Sequence, residues 1–411
     1  MTHVLVIGYV WPEPNSSAAG SHMMSMLRAY RTQGWRVTFA SAAQPSVHQS
    51  DLSLERIDTK TIALNCDSFD DQLTQWQPDI VVFDRFLMEE QFGWRVEEHC
   101  PSAMRILDTS DLQCLRHARH QAVKTNRDLE LGDLYSDLAK REIAAILRSD
   151  LSFIISSYEM ELLQTTYQVS PDLLCHVPFL VDLASHKQHD TPSFDARQHF
   201  ISIGNFRHAP NWDSVLQLRT LWPDIRAQLP DVELHIYGAY PPPKATAMHN
   251  DTIGFHIKGW TDNALEAMQT HRVCLAPLRF GAGIKGKLLD AMLTHTPSVT
   301  SAIGAEAMHD HHPHWPGAIA DTTQQFVEHA VELYRNATQW NDALTHIEPI
   351  LSSQYDACEL IPRLLTRIEK IQDTLTEHRL SNFHGAMLRH HSLKSTQYMS
   401  QWIAEKNKHS N

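Results

Sequence analysis

The sequence predicts an α/β protein built from two doubly wound domains in tandem, and three observations carry that expectation. Short apolar runs that suit buried parallel strands recur through both halves, among them His3 to Val10, Asp79 to Asp84 and Val273 to Leu278. Helical periodicity follows these runs, so strands and helices alternate and a parallel sheet covered on both faces results. A chain of 411 residues is long enough for two cores, and residues 183–198, rich in His, Asp, Ser and Pro, read as the linker between them. The expected units are therefore 1–182, the linker 183–198, 199–335, and a helical segment 336–411.

Taken in order, the strand at His3 to Val10 leads into the loop Trp11 to Gly20, a helix from Ser21 to Gln33 that Gly34 ends, and a strand at Arg36 to Ala40. This is a Rossmann-like start, with a helix N-terminus at Gly20-Ser21 suited to phosphate. A Gly-x-Gly-x-x-Gly fingerprint is absent, which argues against a dehydrogenase. Further strands at Asp79 to Asp84 and Met104 to Asp108 finish in acids followed by polar turns, Asp84-Arg85 and Asp108-Thr-Ser-Asp111. Ligands bind at the carboxyl ends of strands in open parallel sheets, so these acids are well placed; helix N-capping by Asp108 or Asp111 is the structural alternative. A helix at Ser136 to Ser149, a strand at Leu151 to Ser156, a helix near Tyr158 to Tyr167 and the segment Val177 to Asp182 complete the first unit.

The second unit reads as strand 200–204, helix 211–226, strand 232–238, helix 243–249, strand 254–258, helix 263–270, strand 273–278 and helix 285–295. After Asp321 helices are expected at Thr323 to Arg335, Trp340 to Leu351, Cys358 to Glu377 and Ser392 to Lys406. Leu393, Tyr398, Met399 and Trp402 look like a docking stripe. The tail from His378 has five Lys or Arg against one acid, a solvated basic face with anionic-membrane contact as the alternative.

The chemistry is expected at Arg279-Phe-Gly-Ala-Gly-Ile-Lys-Gly-Lys-Leu-Leu-Asp-Ala-Met292, where a strand passes through a glycine turn into a helix. Unpaired N–H groups and the positive end of the helix dipole make such a turn an anion site, and Lys285 and Lys287 add two charges. If both were helical they would point ~200° apart, so Lys285 belongs to the turn and Lys287 to the first helical turn. Asp290 shares the face of Lys287, while Leu288, Ala291 and Met292 form the stripe that packs on the sheet. Gly281, Gly286 and Lys287 fit a Walker A spacing, but Leu288 stands where that motif needs Ser or Thr for magnesium. The bland alternative is a glycine turn with two solvated lysines.

Composition narrows the rest. A net charge of −13 disfavours broad nucleic-acid binding, and six cysteines without a Cys-x-x-Cys pair suggest neither a zinc ribbon nor a disulfide scaffold. The apolar run Val4 to Trp11 is too short for a signal or a span, so a cytoplasmic protein is expected. Among 27 histidines, the cluster His309-Asp-His-His-Pro-His314 has the spacing of an irregular loop, and His117 with His120 makes only a lone pair.

Five pieces in order between His199 and Met308 carry a resemblance: Ile201 to Asn211, His235-Ile-Tyr-Gly238 with Pro241 to Pro243, Ile257-Lys-Gly-Trp260, the lysine stretch, and Pro297 to Ser301 with Gly304-Ala-Glu306. Together they resemble the donor-binding domain of retaining GT-B glycosyltransferases of family 4, in the Gly-Ala-Gly-Ile-Lys-x-Lys branch. The resemblance implies two Rossmann-like domains whose parallel sheets face each other across a cleft, with C-terminal helices crossing back to the first. It implies transfer of a sugar, with retention, from a UDP or GDP sugar to an acceptor that is a glycan, a lipid-linked carrier, a protein or a small molecule. It further implies that no metal or other cofactor is required, and peripheral contact with the inner membrane face is compatible with it.

By the same resemblance Lys285 and Arg207 stabilise the departing diphosphate, and Asp111 stands near the reacting sugar together with Gln113 and Arg116, where a histidine is usual. The backbone at Gly20, Gly204, Asn205, Gly281, Gly283 and Ile284 cradles the donor with Lys287. Gly238, Gly259 and Trp260 hold the base, and Asp290 stands for the ribose carboxylate. Asn15, Ser16, Ser17, Asp84 and Asp108 are the acceptor-side candidates. The family's sugar-side carboxylate, eight positions before Asp290, is here Ala282. That substitution keeps two other readings open: a silent nucleotide-sugar or glycan-binding protein, and a nucleotide-sugar epimerase.

Overall fold

The computed structural model describes residues 1–186, 191–310 and 312–408. The first domain is a seven-stranded parallel sheet. Its strands are β1 His3–Gly8, β2 Arg36–Ser41, β3 Asp58–Thr61, β4 Ile80–Asp84, β5 Met104–Asp108, β6 Leu151–Ile154 and β7 Leu174–His176, in the order β3-β2-β1-β4-β5-β6-β7. The second is a six-stranded parallel sheet of β8 Gln198–Ile203, β9 Leu234–Tyr237, β10 Phe255–Gly259, β11 His271–Ala276, β12 Ser298–Thr300 and β13 Gly317–Ile319, in the order β10-β9-β8-β11-β12-β13. Strand order reverses beside β1 in one sheet and beside β8 in the other, which opens a crevice at the carboxyl end of each.

The central strands are apolar on both faces because helices cover both: every residue of β1, β4 and β5 is buried. The polar edge strand β3, Asp-Thr-Lys-Thr, is fully exposed and offers no apolar run to read. The three-residue strands β7, β12 and β13 are too short to show a period. The helix expected over Trp340 to Leu351 is two helices, Ala337–Thr345 and Ile347–Gln354, meeting at His346.

Two features join the domains. A mixed core sets Ile155, Phe179 and Val181 against Ile284, Leu288, Met292 and Tyr355. The helix Ala357–Asp373 then returns to the first domain, burying Leu364, Leu365, Ile368 and Ile371 in the core that holds Met23 and Leu27. At ~2 kcal/mol for each such side chain, this return is a substantial part of the attachment. Farther on, Arg379 grips the buried Asp150 through two hydrogen bonds of 2.9 and 2.8 Å.

The expected docking stripe of the last helix, Lys394–Lys408, is corrected: Leu393 is buried, but Tyr398, Met399 and Trp402 are 58–64% exposed. The face that docks carries Ser400 and Ala404 instead, with the Ser400 hydroxyl toward Arg95. Among the described residues no helix is long and apolar enough to cross a membrane. Part of the expected linker, residues 187–190, lies outside the described residues, as does His311 of the histidine loop.

Candidate functional site

The first wall of the cleft is made by the carboxyl ends of β1, β4, β5 and β6. Ser17 caps the helix Ala18–Thr32, accepting from the N–H of Gly20 at 3.1 Å, which gives this serine a local structural task. Asp84 and Asp108 are register partners on adjacent strands and both are buried. Asp84 accepts from the Tyr9 N–H at 3.0 Å, and Asp108 from the Ser110 N–H at 3.1 Å. Burial, reinforced by Asp84, pushes the Asp108 carboxyl up to about 7.

Neither Asp108 nor Asp111 caps a helix. Asp111 is held by Arg116 at 2.8 Å, and the start of the helix Gln113–Lys124 is served by two acids that sequence reasoning passed over. Glu159 accepts from the Leu112 N–H, and Glu142 from the N–H groups of Gln113 and Cys114. Burial raises Glu142 to about 7 and Glu159 to about 8, the nearby Asp111 adding to the effect on both.

The second wall begins with three glycines at strand ends. A Cβ on Gly238 would lie 2.0 Å from the Gly204 carbonyl oxygen, so only glycine fits there, and one on Gly204 would lie 2.6 Å from the Asn211 side chain, which would have to shift. Gly259 has φ +74°, in the region that favours glycine, and accepts from the Gly238 N–H at 2.7 Å. The Asn205 amide donates across the cleft to the Ser16 hydroxyl at 3.1 Å. Arg207 is exposed, with its guanidinium 3.6 Å above the Tyr240 ring, whose hydroxyl donates to Glu13. Trp260 stacks on His48 of the first domain at 3.7 Å. Asn15, Ser16, Gly204, Asn205, Gly238 and Trp260 line one narrow crevice of about 30 Å³.

The lysine loop crosses from one wall to the other. Gly283, at φ +61°, gives its N–H to Glu159 at 2.7 Å, and the Gly281 carbonyl accepts from Arg119 at 2.9 Å. Arg119 also forms a fork with Glu306 at 2.8 and 2.7 Å. A Cβ on Gly286 would lie 2.4 Å from that of Ala18, so the loop touches the first domain at its closest possible approach. Lys285 immediately precedes the helix Gly286–Leu293 without capping it through its side chain; it is buried, and its ammonium donates to the Gly283 carbonyl at 2.6 Å. Lys287 and Asp290 lie within the helix, with Leu288, Ala291 and Met292 buried beneath. Ile284 is buried in the interdomain core.

Burial lowers Lys285 and Lys287 each to about 8 and raises Asp290 to about 7. His208, reached by solvent but crowded by the two walls, falls to about 4, through desolvation first and then the charge of Arg116. Two amines that have lost water without gaining a full counter-charge, at a helix start whose first N–H groups lack intrahelical partners, complement a dianion.

The structure thus gathers Lys285, Lys287, Asp290, Gly281, Gly283 and Asp111 in one region, and Asn15, Ser16, Gly204, Asn205, Gly238, Gly259 and Trp260 in a second. The carboxylate beside Gly283 comes from the first domain, as Glu159, while Ala282 packs against the first-domain core. Contacts over 124 residues leave no local signal. The lone pair of histidines diverges: His117 meets Gln121, whereas His120 stacks on Phe280 at 4.2 Å.

Two parallel doubly wound sheets across a cleft, with a terminal helix returned to the first, define the GT-B fold. Residues 197–336 match the family described as glycosyl transferases group 1. No curated protein matches the chain. Among solved structures, sucrose-phosphate synthase from Thermosynechococcus elongatus is similar at a TM-score of 0.67 and 13% identity, over 91% of this chain and 100% of that one. HepE from Anabaena in complex with UDP is similar at 0.65 and 11%, over 92% and 100%. A glycosyltransferase from Rickettsia africae is similar at 0.64 and 8%, over 90% and 98%.

Proposed function

We propose that this protein is a glycosyltransferase that moves a sugar from a UDP or GDP sugar to an acceptor with retention at the anomeric carbon, without a metal at the reacting centre. The observation that carries the reading is the glycine turn at 281–286, with two desolvated lysines at a helix start, facing Asp111 and Arg116 across the cleft. The diphosphate gains negative charge as the sugar departs. Fixed cations and amide dipoles in a dry cleft stabilise that charge without reorganising. Arg207 and Lys287 would meet the phosphates and Asp290 the ribose; Gly238 and Gly259 would bring backbone against the base.

The narrow crevice asks for opening and closing of the domains during the cycle. Glu159, next to the turn, is a candidate for the donor-sugar contact that Ala282 lacks. A panel of UDP and GDP sugars, followed by thermal shift and by hydrolysis, tests the reading, and activity is expected to persist in EDTA. Strict dependence on a divalent ion would overturn the metal-free part.

Ala282 favours a second reading, a protein that binds nucleotide sugars without turning them over. Binding with no transfer to any acceptor would select it, and interconversion of nucleotide sugars with no acceptor present would select an epimerase.

A further inference from the structure

Away from the cleft, at the opposite ends of β9 and β10, five histidines and two acids crowd one edge of the second sheet. His235 and His256 are register partners on these parallel strands, Glu233 immediately precedes β9, and one ligand atom from each lies within 4.8 Å of the other two. The Glu233 Oε2 atom is 2.8 Å from His235 Nε2 and 3.4 Å from His256 Nε2. Donor atoms around a tetrahedral zinc ion, bonded at about 2.0–2.1 Å, stand roughly 3.3 Å apart.

The hydrogen bonds behind these atoms decide which nitrogens carry protons. His271 Nδ1 lies 2.6 Å from the Ala267 carbonyl, which can only accept, so that nitrogen is protonated. In the neutral ring its Nε2 is then a lone pair, which receives the proton of His235 Nδ1 at 2.8 Å. His235 Nε2 is then a lone pair turned toward a carboxylate.

His256 repeats the arrangement. Its Nδ1 faces Asp251 at 3.2 Å, which fixes the proton there and leaves Nε2 as a lone pair. That Nε2 is buried and has no hydrogen-bond partner, in a residue only 8% exposed. Asp251 is held in turn by His249 at 3.0 Å, whose other nitrogen accepts from the Ile257 N–H.

Three electron-rich atoms therefore converge with no hydrogen between them, and each histidine is oriented from behind by an acceptor, as ligating histidines are. We propose that Glu233, His235 and His256 bind a divalent transition metal of the zinc class, with His271 and Asp251 orienting the two imidazoles and a water completing four-coordination. The other groups facing the cluster are His199, whose ring is 5.1 Å from that of His235, and the cations Lys258 and Arg226. Glu233 and Asp251 oppose those cations. The ion would pin the edge strand β10 to β9 from the end opposite the donor region, independently of whether the cleft transfers sugar.

The test is calorimetric titration of the chelator-treated full chain with ZnCl₂ at pH 7.5, with MgCl₂ as control. One zinc ion per chain is expected at about 10 µM or tighter, with no magnesium heat. Glu233→Gln and His256→Gln should each weaken zinc by more than about tenfold, and the orienting change Asp251→Asn by about tenfold. His312→Gln, in the separate histidine loop, should leave it unchanged.

Cobalt(II) in place of zinc should give the visible absorption of a four-coordinate ion, lost in Glu233→Gln; this half-buried carboxylate, outside β9, can change without unfolding the sheet, as circular dichroism would verify. Zinc binding weaker than about 100 µM, or unaltered by Glu233→Gln and His256→Gln, overturns the proposal and leaves a proton shared between His235 and Glu233 in place of the ion.

Discussion

The two walls of the cleft are built alike but carry different sets of ionisable groups. On the first, strand ends and the helix starts beside them present the acids Asp84, Asp108, Asp111, Glu142 and Glu159; on the second, the equivalent place in a similar sheet presents the cations Lys285, Lys287 and Arg207. Desolvation acts on both and moves them in opposite directions, lifting Asp108 to about 7 and lowering both lysines to about 8. Asp84, Asp108, Glu142 and Glu159 already have backbone N–H partners and Asp111 has Arg116, whereas Lys287 waits at a helix start. The first wall mostly organises its own loops and grips the lysine loop; the second is prepared for an anion.

Separating gripping from binding is the sharpest way to break this comparison. Arg119→Ala leaves Glu306 without its buried partner and removes the donor to Gly281, so the folded, closed chain should lose about 3 kcal/mol, read as a lower denaturation midpoint. An unchanged midpoint would mean the walls are not held by this fork. Lys285→Ala should cut kcat by more than about a hundredfold, the scale of losing one donor to a developing anion, with the fold intact by circular dichroism. Near-normal turnover would assign this ammonium to the loop alone, through its contact with the Gly283 carbonyl.

A smaller effect tests the charge state directly. Each lysine has a pKa of about 8 against an ordinary 10.5, so above pH 8 the free protein has lost most of this charge. A bound diphosphate favours the ammonium and raises the pKa, so UDP binding at pH 8.5 should take up roughly one proton in all, measured by calorimetry in buffers of different ionisation enthalpy. Proton release, or none exchanged, would place the diphosphate elsewhere. Smallest of all, Tyr398→Ser and Trp402→Ser should shift stability by less than about 0.5 kcal/mol, because both rings are mostly exposed.

How far the sequence could be read follows the range of the forces involved. The strands β1, β4, β5 and β11 were legible because burial on both faces demands an unbroken apolar run, and Gly283 was legible because a positive φ favours glycine. The polar edge β3 carried no such demand. In the last helix the apolar residues were visible, yet which of them docks was not, since periodicity marks a stripe without naming what covers it.

By itself the sequence determined local chemistry: two alternating α/β units, a glycine turn between strand and helix, and lysines that could not both be helical and share a target. Only the tertiary structure decided the partners. It brought Glu159 to Gly283, Arg119 to Glu306, His48 to Trp260 and His256 to Glu233. The reason is physical: a turn or a strand answers to neighbours a few residues away, whereas a carboxylate's proton affinity and a histidine's tautomer depend on groups that chain folding alone brings near.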